Sequence, residues 1–163
     1  MSRLRADRSR EWTEHFRERT RSVVSGPLTI DHRRCNELFL SLEKVITASE
    51  WDAASNQIHA FKAAMKRHFS VEEDVLFPAL EAATPKAGMA IRVMTMEHVQ
   101  MLHMIQRLAM AVEQRSKQNA LGLSETLFMT IQQHIIKEEN ILYPMADRYV
   151  PEVTSRIARL MKE

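Results

Sequence analysis

Turn-forming residues are scarce in this chain: three glycines and five prolines in 163 residues, with a single cysteine. Average usage is about 7% glycine and 5% proline. So few breakers argue against a β-sandwich or barrel and for long helices. One cysteine excludes an internal disulfide and any metal cage built from several thiolates. No apolar run is long enough to span a bilayer. The N-terminus lacks the apolar core of a signal peptide, so the cytoplasm is the expected compartment. A dominant charge is missing too: 23 basic against 21 acidic residues leave a formal net charge of +2, and nothing in that balance points to nucleic acid. No Ser-His-Asp set, phosphate loop or glycine-rich turn is visible.

What is present suits one globular domain, with 45% hydrophobic and 27% charged residues, and the length is enough to bury a core without staples. The small basic surplus is local. Residues 1–24 carry seven arginines and four acids. Within them Trp12, Phe16 and Val23 fall on one helical face, so residues 1–27 are expected to form a basic amphipathic arm that packs across the body. An acidic partner or a membrane surface is the other use of such an arm. Four acids argue against a transit peptide.

Apolar periodicity predicts a helix over 28–48 through Leu28, Leu38, Leu42, Val45 and Ile46. Ser49 is expected to cap a second helix, running from Trp51 until Pro78 disturbs it. Thr84-Pro85 opens a third, to about Lys117. A fourth runs from about Leu121 to Pro144. Pro151 opens a short terminal helix ending near Leu160. The fold expected is all-α: an up-down four-helix bundle over 28–149, with the N-terminal arm and a short C-terminal helix over 150–163.

An internal repeat marks the candidate site. Residues 68–80 read HFSVEEDVLFPAL and residues 134–146 read HIIKEENILYPMA, an offset of 66. The same offset takes Asp31-His32 to Glu97-His98. His32 to His68 and His98 to His134 are both separated by 36 residues. Each half is thus a helix pair, with Asp/Glu-His on the first helix and His-x-x-x-Glu-Glu on the second.

Residues four apart share a helix face. His68 with Glu72, and His134 with Glu138, therefore each offer one imidazole and one carboxylate to a single spot. His32 and His98 add one imidazole each. Ionised groups facing a core are costly unless paired or metal-bound, and bundles build metal sites from side chains on facing helices. Four imidazoles and two carboxylates suit iron, among other first-row metals.

At these residues the chain resembles the hemerythrin-like, or HHE cation-binding, family over about residues 28–149. The pattern is His32, His68-x-x-x-Glu72, His98 and His134-x-x-x-Glu138, with Glu-Glu-x-x-Leu-(Phe/Tyr)-Pro flanking it in both halves. The resemblance implies two iron ions (Fe2+/Fe3+) with an oxo or hydroxo bridge. His32 and His68 would hold one ion, His98 and His134 the other, and Glu72 and Glu138 would bridge both. Oxygen-carrying members have a fifth histidine four residues after the one on the third helix. That position is Leu102 here. The nearest candidate for an extra ligand is His103, about 140° round from His98 unless a local bulge swings it inward; otherwise it is a surface residue. Without it, one ion keeps an open position, which favours reaction over reversible storage.

Other residues are read more plainly. Glu73 and Glu139 are alternative ligands or surface groups. Asp31 and Glu97 either accept a ring N–H or lie in solvent. Cys35 is expected to act as a small buried hydrophobe or else as a redox thiol near the iron or one behind its ligands, and Tyr143 to pack with a partner for its hydroxyl or else to tune or quench the centre. His59 is read as surface, His15 as part of the arm, and the methionines of the third helix mainly as core filling. The leading expectation is a binding protein that handles or senses O2 or NO, as a monomer or homodimer. A sensor without an output domain would need a redox or signalling protein partner. The rivals are a di-iron enzyme (NO or peroxide reduction, or iron donation for repair under nitrosative or oxidative stress) and a structural module whose zinc or manganese only holds the bundle together.

Overall fold

The computed structural model describes residues 24–162. Residues 1–23 of the expected arm, with Trp12, His15, Phe16 and Val23, lie outside them, and its last residues, from Ser25, are instead the start of the first long helix. The described chain is helical throughout. α1 spans Ser25–Thr47 and α2 spans Trp51–Val71. A π-turn over Glu72–Leu76 then leads into α3, Phe77–Ala83. After a 3-10 turn, Pro85–Ala87, α4 runs over Gly88–Glu113 and α5 over Lys117–Lys137. A second π-turn, Glu138–Leu142, leads into α6, Tyr143–Tyr149. The 3-10 turn Pro151–Val153 precedes α7, Thr154–Leu160. No described helix is long and apolar enough to cross a membrane.

The long helices form the expected up-down bundle. Cross-links along their lengths fix the directions. α1 and the α5–α6 rod run antiparallel, joined by Ser25 to Asp147, Asn36 to Gln132 and Thr47 to Lys117. α2 and α4 are likewise antiparallel, through Lys62 to Gln106 and Asp52 to Arg115. Short connections make α1–α2 and α4–α5 hairpins.

Several sequence expectations need correction. Ser49 does not cap α2. It takes a left-handed conformation (φ 61°) and closes α1, and Arg115 (φ 53°), 66 residues on, does the same after α4. Backbone bonds from Glu50 N–H to the Val45 carbonyl and from Ser116 N–H to the Ala111 carbonyl complete both turns. The pattern is that of a Schellman cap, built here on non-glycine residues. Pro78 and Pro144 do not end their helices. Each follows a π-turn, in which Phe77 N–H bonds the Glu72 carbonyl and Tyr143 N–H bonds the Glu138 carbonyl. The wider turn absorbs the missing proline N–H, and both rods continue. The fourth helix also starts earlier than expected, at Lys117. On α4 only part of the methionine set fills the core: Met94 and Met101 are buried, whereas Met89, Met96 and Met110 are exposed.

The apolar interior has two parts. One cluster, including Phe39, Ile46, Phe61, Ile105 and Leu127, fills the end with the two hairpin turns. The other, including Leu28, Leu76, Phe77, Leu80, Leu142 and Tyr143, fills the opposite end, where α7 adds Ile157. A polar layer lies between them.

Candidate metal centre

That layer contains the ionisable residues of the repeat. His32, His68, His98 and His134 are all buried, and Glu72 and Glu138 are fully so. α1 and α4 each present one histidine, and the α2 and α5 rods each present a histidine and a glutamate. The structure brings the six together as two groups that share both carboxylates. His32, His68, Glu72 and Glu138 offer ligand atoms within 4.8 Å of one another, and so do His98, His134, Glu72 and Glu138. His103 is not brought in. It is exposed on α4, an α-helix without a bulge. The bulges fall elsewhere, at the two glutamates, where each π-turn begins.

The carboxylates lie between the pairs. One oxygen of Glu138 is 3.2 Å from His32 Nε2, while the other is 2.9 Å from His134 Nε2 and 3.7 Å from His98 Nε2. Glu72 Oε2 stands 3.5 Å from His68 Nε2 and 3.4 Å from His98 Nε2. Each glutamate thus faces histidines of both groups.

Outside this ring, every histidine has its own acceptor. Nδ1 of His68 donates to Asp31 at 3.0 Å, and Nδ1 of His134 to Glu97 at 2.8 Å. Nδ1 of His98 donates to Glu73 at 2.7 Å, and Nδ1 of His32 to Glu139 at 2.9 Å. The four pairs obey the offset of 66. With the proton held on Nδ1, the Nε2 lone pair of a neutral ring faces inward, the arrangement that orients imidazoles for a metal. Glu73 and Glu139 therefore reach the outer nitrogens of His98 and His32 and are not idle surface groups. Asp31 and Glu97 serve the histidine of the next helix, not their own neighbour. Replacing Glu73 or Glu139 by glutamine should weaken metal binding about 10–100-fold while leaving the fold intact, since both are partly exposed. A chelator competition titration measures this. Affinity unchanged within about twofold would remove their orienting role.

Tyr143 completes the layer. Its buried hydroxyl donates to Glu72 Oε1 at 2.7 Å, and its oxygen is 3.1 Å from His32 Nε2. Burial, with Glu138 and Glu72 nearby, holds its ionisation well above the ordinary phenol range. Cys35 is buried as expected, its thiol pushed up to about 12 by burial and the adjacent Asp31. It helps line a small cavity, with Met65, Phe69 and Ile131, against His32, His68 and His134. His59 lies on the surface, bonded to the Ser55 carbonyl.

The charges are strongly coupled. Burial pulls the His32 pKa down, but hydrogen bonds to Glu138 and Glu139 outweigh it and raise it to about 9. Burial is likewise outweighed at His98, by Glu138, Glu72 and Glu73, and its pKa rises to about 10. Glu138 is raised by burial but held well below its ordinary value by His134, His32 and His98. In the metal-free protein, both raised histidines stabilise the fold fully below the unfolded pKa of about 6.5. That contribution is lost as pH rises through about 9 and about 10. Glu138 works with the opposite sign, stabilising above the ordinary carboxylate pKa and failing as pH falls. The Tm of metal-free protein should therefore decline as pH is raised from about 6.5 to 10. Metal-loaded protein, its imidazoles already neutral and bound, should show little of this slope. Parallel melting curves for the two forms would contradict the assignment.

With each ring proton on Nδ1, three buried atoms face only other acceptors in this layer and have no hydrogen-bond donor: His68 Nε2, Glu72 Oε2 and Glu138 Oε1, the last 2.9 Å from His134 Nε2. Such orphans are rare in native interiors. All three point to where the two groups converge, and a cation there would satisfy them. The donor set therefore fits a metal. Comparison with known proteins agrees: the family model for the hemerythrin HHE cation binding domain matches residues 27–162. No curated protein and no solved structure matches the chain.

Proposed function

Since the chain belongs to the hemerythrin HHE cation-binding domain family, we propose that it is a non-haem di-iron protein that binds or senses O2 or NO. The observation that carries this reading is the pair of four-residue groups sharing Glu72 and Glu138. Two groups that share both carboxylates suit two ions better than one. His32 and His68 would hold one iron, His98 and His134 the other, and the glutamates would bridge them beside an oxo or hydroxo group. Imidazole and carboxylate donors suit iron, and an iron pair supplies reversible redox chemistry to a small ligand.

The chain's own residues set the rest. The four outer carboxylates hold each ring in one tautomer. Phe69 stacks on His98 at 3.9 Å between centroids and keeps water from that side. The small cavity beside His32, His68 and His134 is mostly apolar and has room for about one water-sized molecule. It suits a neutral diatomic better than an anion. We place the protein in the cytoplasm, as a monomer or homodimer, with a protein partner for any sensing role.

A second reading, an enzyme acting on NO or peroxide or donating iron for repair, has one observation in its favour. His103 is outside the centre, so no fifth imidazole closes the coordination shell. Anaerobic loading with Fe(II) separates the readings. About two irons per chain, with a visible spectrum that changes under oxygen and returns under argon, would support binding. Two irons that oxidise irreversibly would shift the function to the enzyme. Selective retention of zinc, with no iron bound, would defeat both.

A further inference from the structure

We propose that the hydroxyl oxygen of Tyr143 is itself a ligand of the ion held by His32 and His68, so that the two ion positions are chemically unequal. This rests on the di-iron reading above and adds to it a residue that the repeated histidines and glutamates do not include.

The two halves of the molecule differ at this point. The offset of 66 pairs Tyr143 with Phe77, and both are buried. Phe77 stacks beside His98 with ring centroids 5.8 Å apart, and Tyr143 stacks beside His32 at 5.5 Å. A plain phenyl ring therefore satisfies the packing in one half. The hydroxyl of the other half is an added polar group in a fully buried place, which is costly unless well partnered.

Its partners are ligand atoms. The oxygen lies 2.7 Å from Glu72 Oε1, 3.1 Å from His32 Nε2 and 3.4 Å from Glu138 Oε2. Around a metal with bonds of about 2.1 Å, ligand atoms at right angles stand about 3.0 Å apart. The recognised donors His32 Nε2 and Glu138 Oε2 are 3.2 Å apart. The phenol oxygen thus keeps the spacing of a member of the shell. One hydroxyl proton serves one acceptor at a time, whereas a cation among these atoms satisfies all of them at once. Anionic oxygen suits a ferric ion, and tyrosinate is an established iron ligand in other folds. Ligation converts the phenol to phenolate and releases its proton to solvent.

The consequence is a count. The His32–His68 ion has two imidazoles, two carboxylates and a phenolate. The His98–His134 ion has two imidazoles and two carboxylates, with Phe77 in place of the phenol, and so has one protein donor fewer.

The test uses the full chain loaded with iron and oxidised. Tyr143 and Tyr149 are its only tyrosines, and Tyr149 is exposed. Wild type and Tyr149→Phe should both bind about two irons and show phenolate ring vibrations in resonance Raman spectra excited in the visible band. Tyr143→Phe should lose these vibrations while keeping its iron. Two irons without phenolate vibrations in wild type or Tyr149→Phe, or vibrations that survive in Tyr143→Phe, would overturn the proposal. If Tyr143→Phe does not fold, the first two proteins still decide. Failure of the di-iron reading is distinct, since the wild-type iron count would then fall to about zero and no ion would remain for Tyr143 to bind.

Discussion

Glu138→Ala is expected, on the di-iron reading, to take the protein from two bound metal ions per chain to one or none. Glu138 faces three histidines, with one oxygen at 3.2 Å from His32 and the other at 2.9 Å from His134 and 3.7 Å from His98. Its removal takes an anionic donor from both groups at once, a larger loss than any change to the outer carboxylates. The metal-free fold should suffer as well. The buried imidazoles lose their main counter-charge, and breaking a buried pair costs about 3–5 kcal/mol. Glu72→Ala should act in the same direction, and His59→Ala should change nothing. Metal analysis and the visible spectrum give the answer. Two ions and an unchanged spectrum in both glutamate variants would mean that neither carboxylate bridges.

Phe61→Ala should produce the largest loss of stability without touching the metal. Phe61 is fully buried, edge-on to Phe39 at 5.4 Å between centroids, and Phe39 in turn stacks on Phe128 at 5.6 Å. These rings tie α1, α2 and α5 together at the end with the hairpin turns. Truncating a buried phenylalanine costs about 3–5 kcal/mol, made up of lost transfer energy and the cavity left behind. The candidate ligands belong to a separate layer, so metal content at a temperature where the variant is folded should stay at the wild-type value. Denaturant unfolding and metal analysis on one sample test both halves of the statement. A cost under about 1 kcal/mol would mean that the surrounding side chains close the cavity. Lost metal in the folded state would mean that the layers are coupled.

Much of this centre is legible in the sequence because the chain says it twice. The repeat shows His68 with Glu72 and His134 with Glu138 on helix faces, and the constant 36-residue spacing adds His32 and His98. Which carboxylate orients which ring was not legible, since it depends on how helices rotate against one another. Asp31 sits beside His32 in sequence but bonds His68, and His32 is served from the far hairpin by Glu139. The second glutamate of each Glu-Glu pair did carry a signal, because it recurs at the same offset as the ligands. The prolines misled for a physical reason. A proline forbids a regular α-turn, and the sequence does not show that the turn before it has widened. Met89 and Met96 share the composition of Met94 and Met101 but face out, and methionine at a helical spacing does not say which face is the core.

The two π-turns bear on which length changes this chain can tolerate. A π-turn holds one residue more than the α-turn it replaces. Deleting Asp74 or Asn140, one residue inside each wide turn, would let the rod relax to regular α-helix with its two halves still in register, because the wide turn already absorbs the extra residue. On one rod Leu76, Phe77 and Leu80 would keep facing the interior, and on the other Leu142, Tyr143 and Ala146. A deletion elsewhere in a rod has no wide turn to give up and would swing everything beyond it by about 100°. Insertions in the connection after Glu113 shift no such phase, so tolerance to a one-residue change should be decided by position along the rod, not by burial alone.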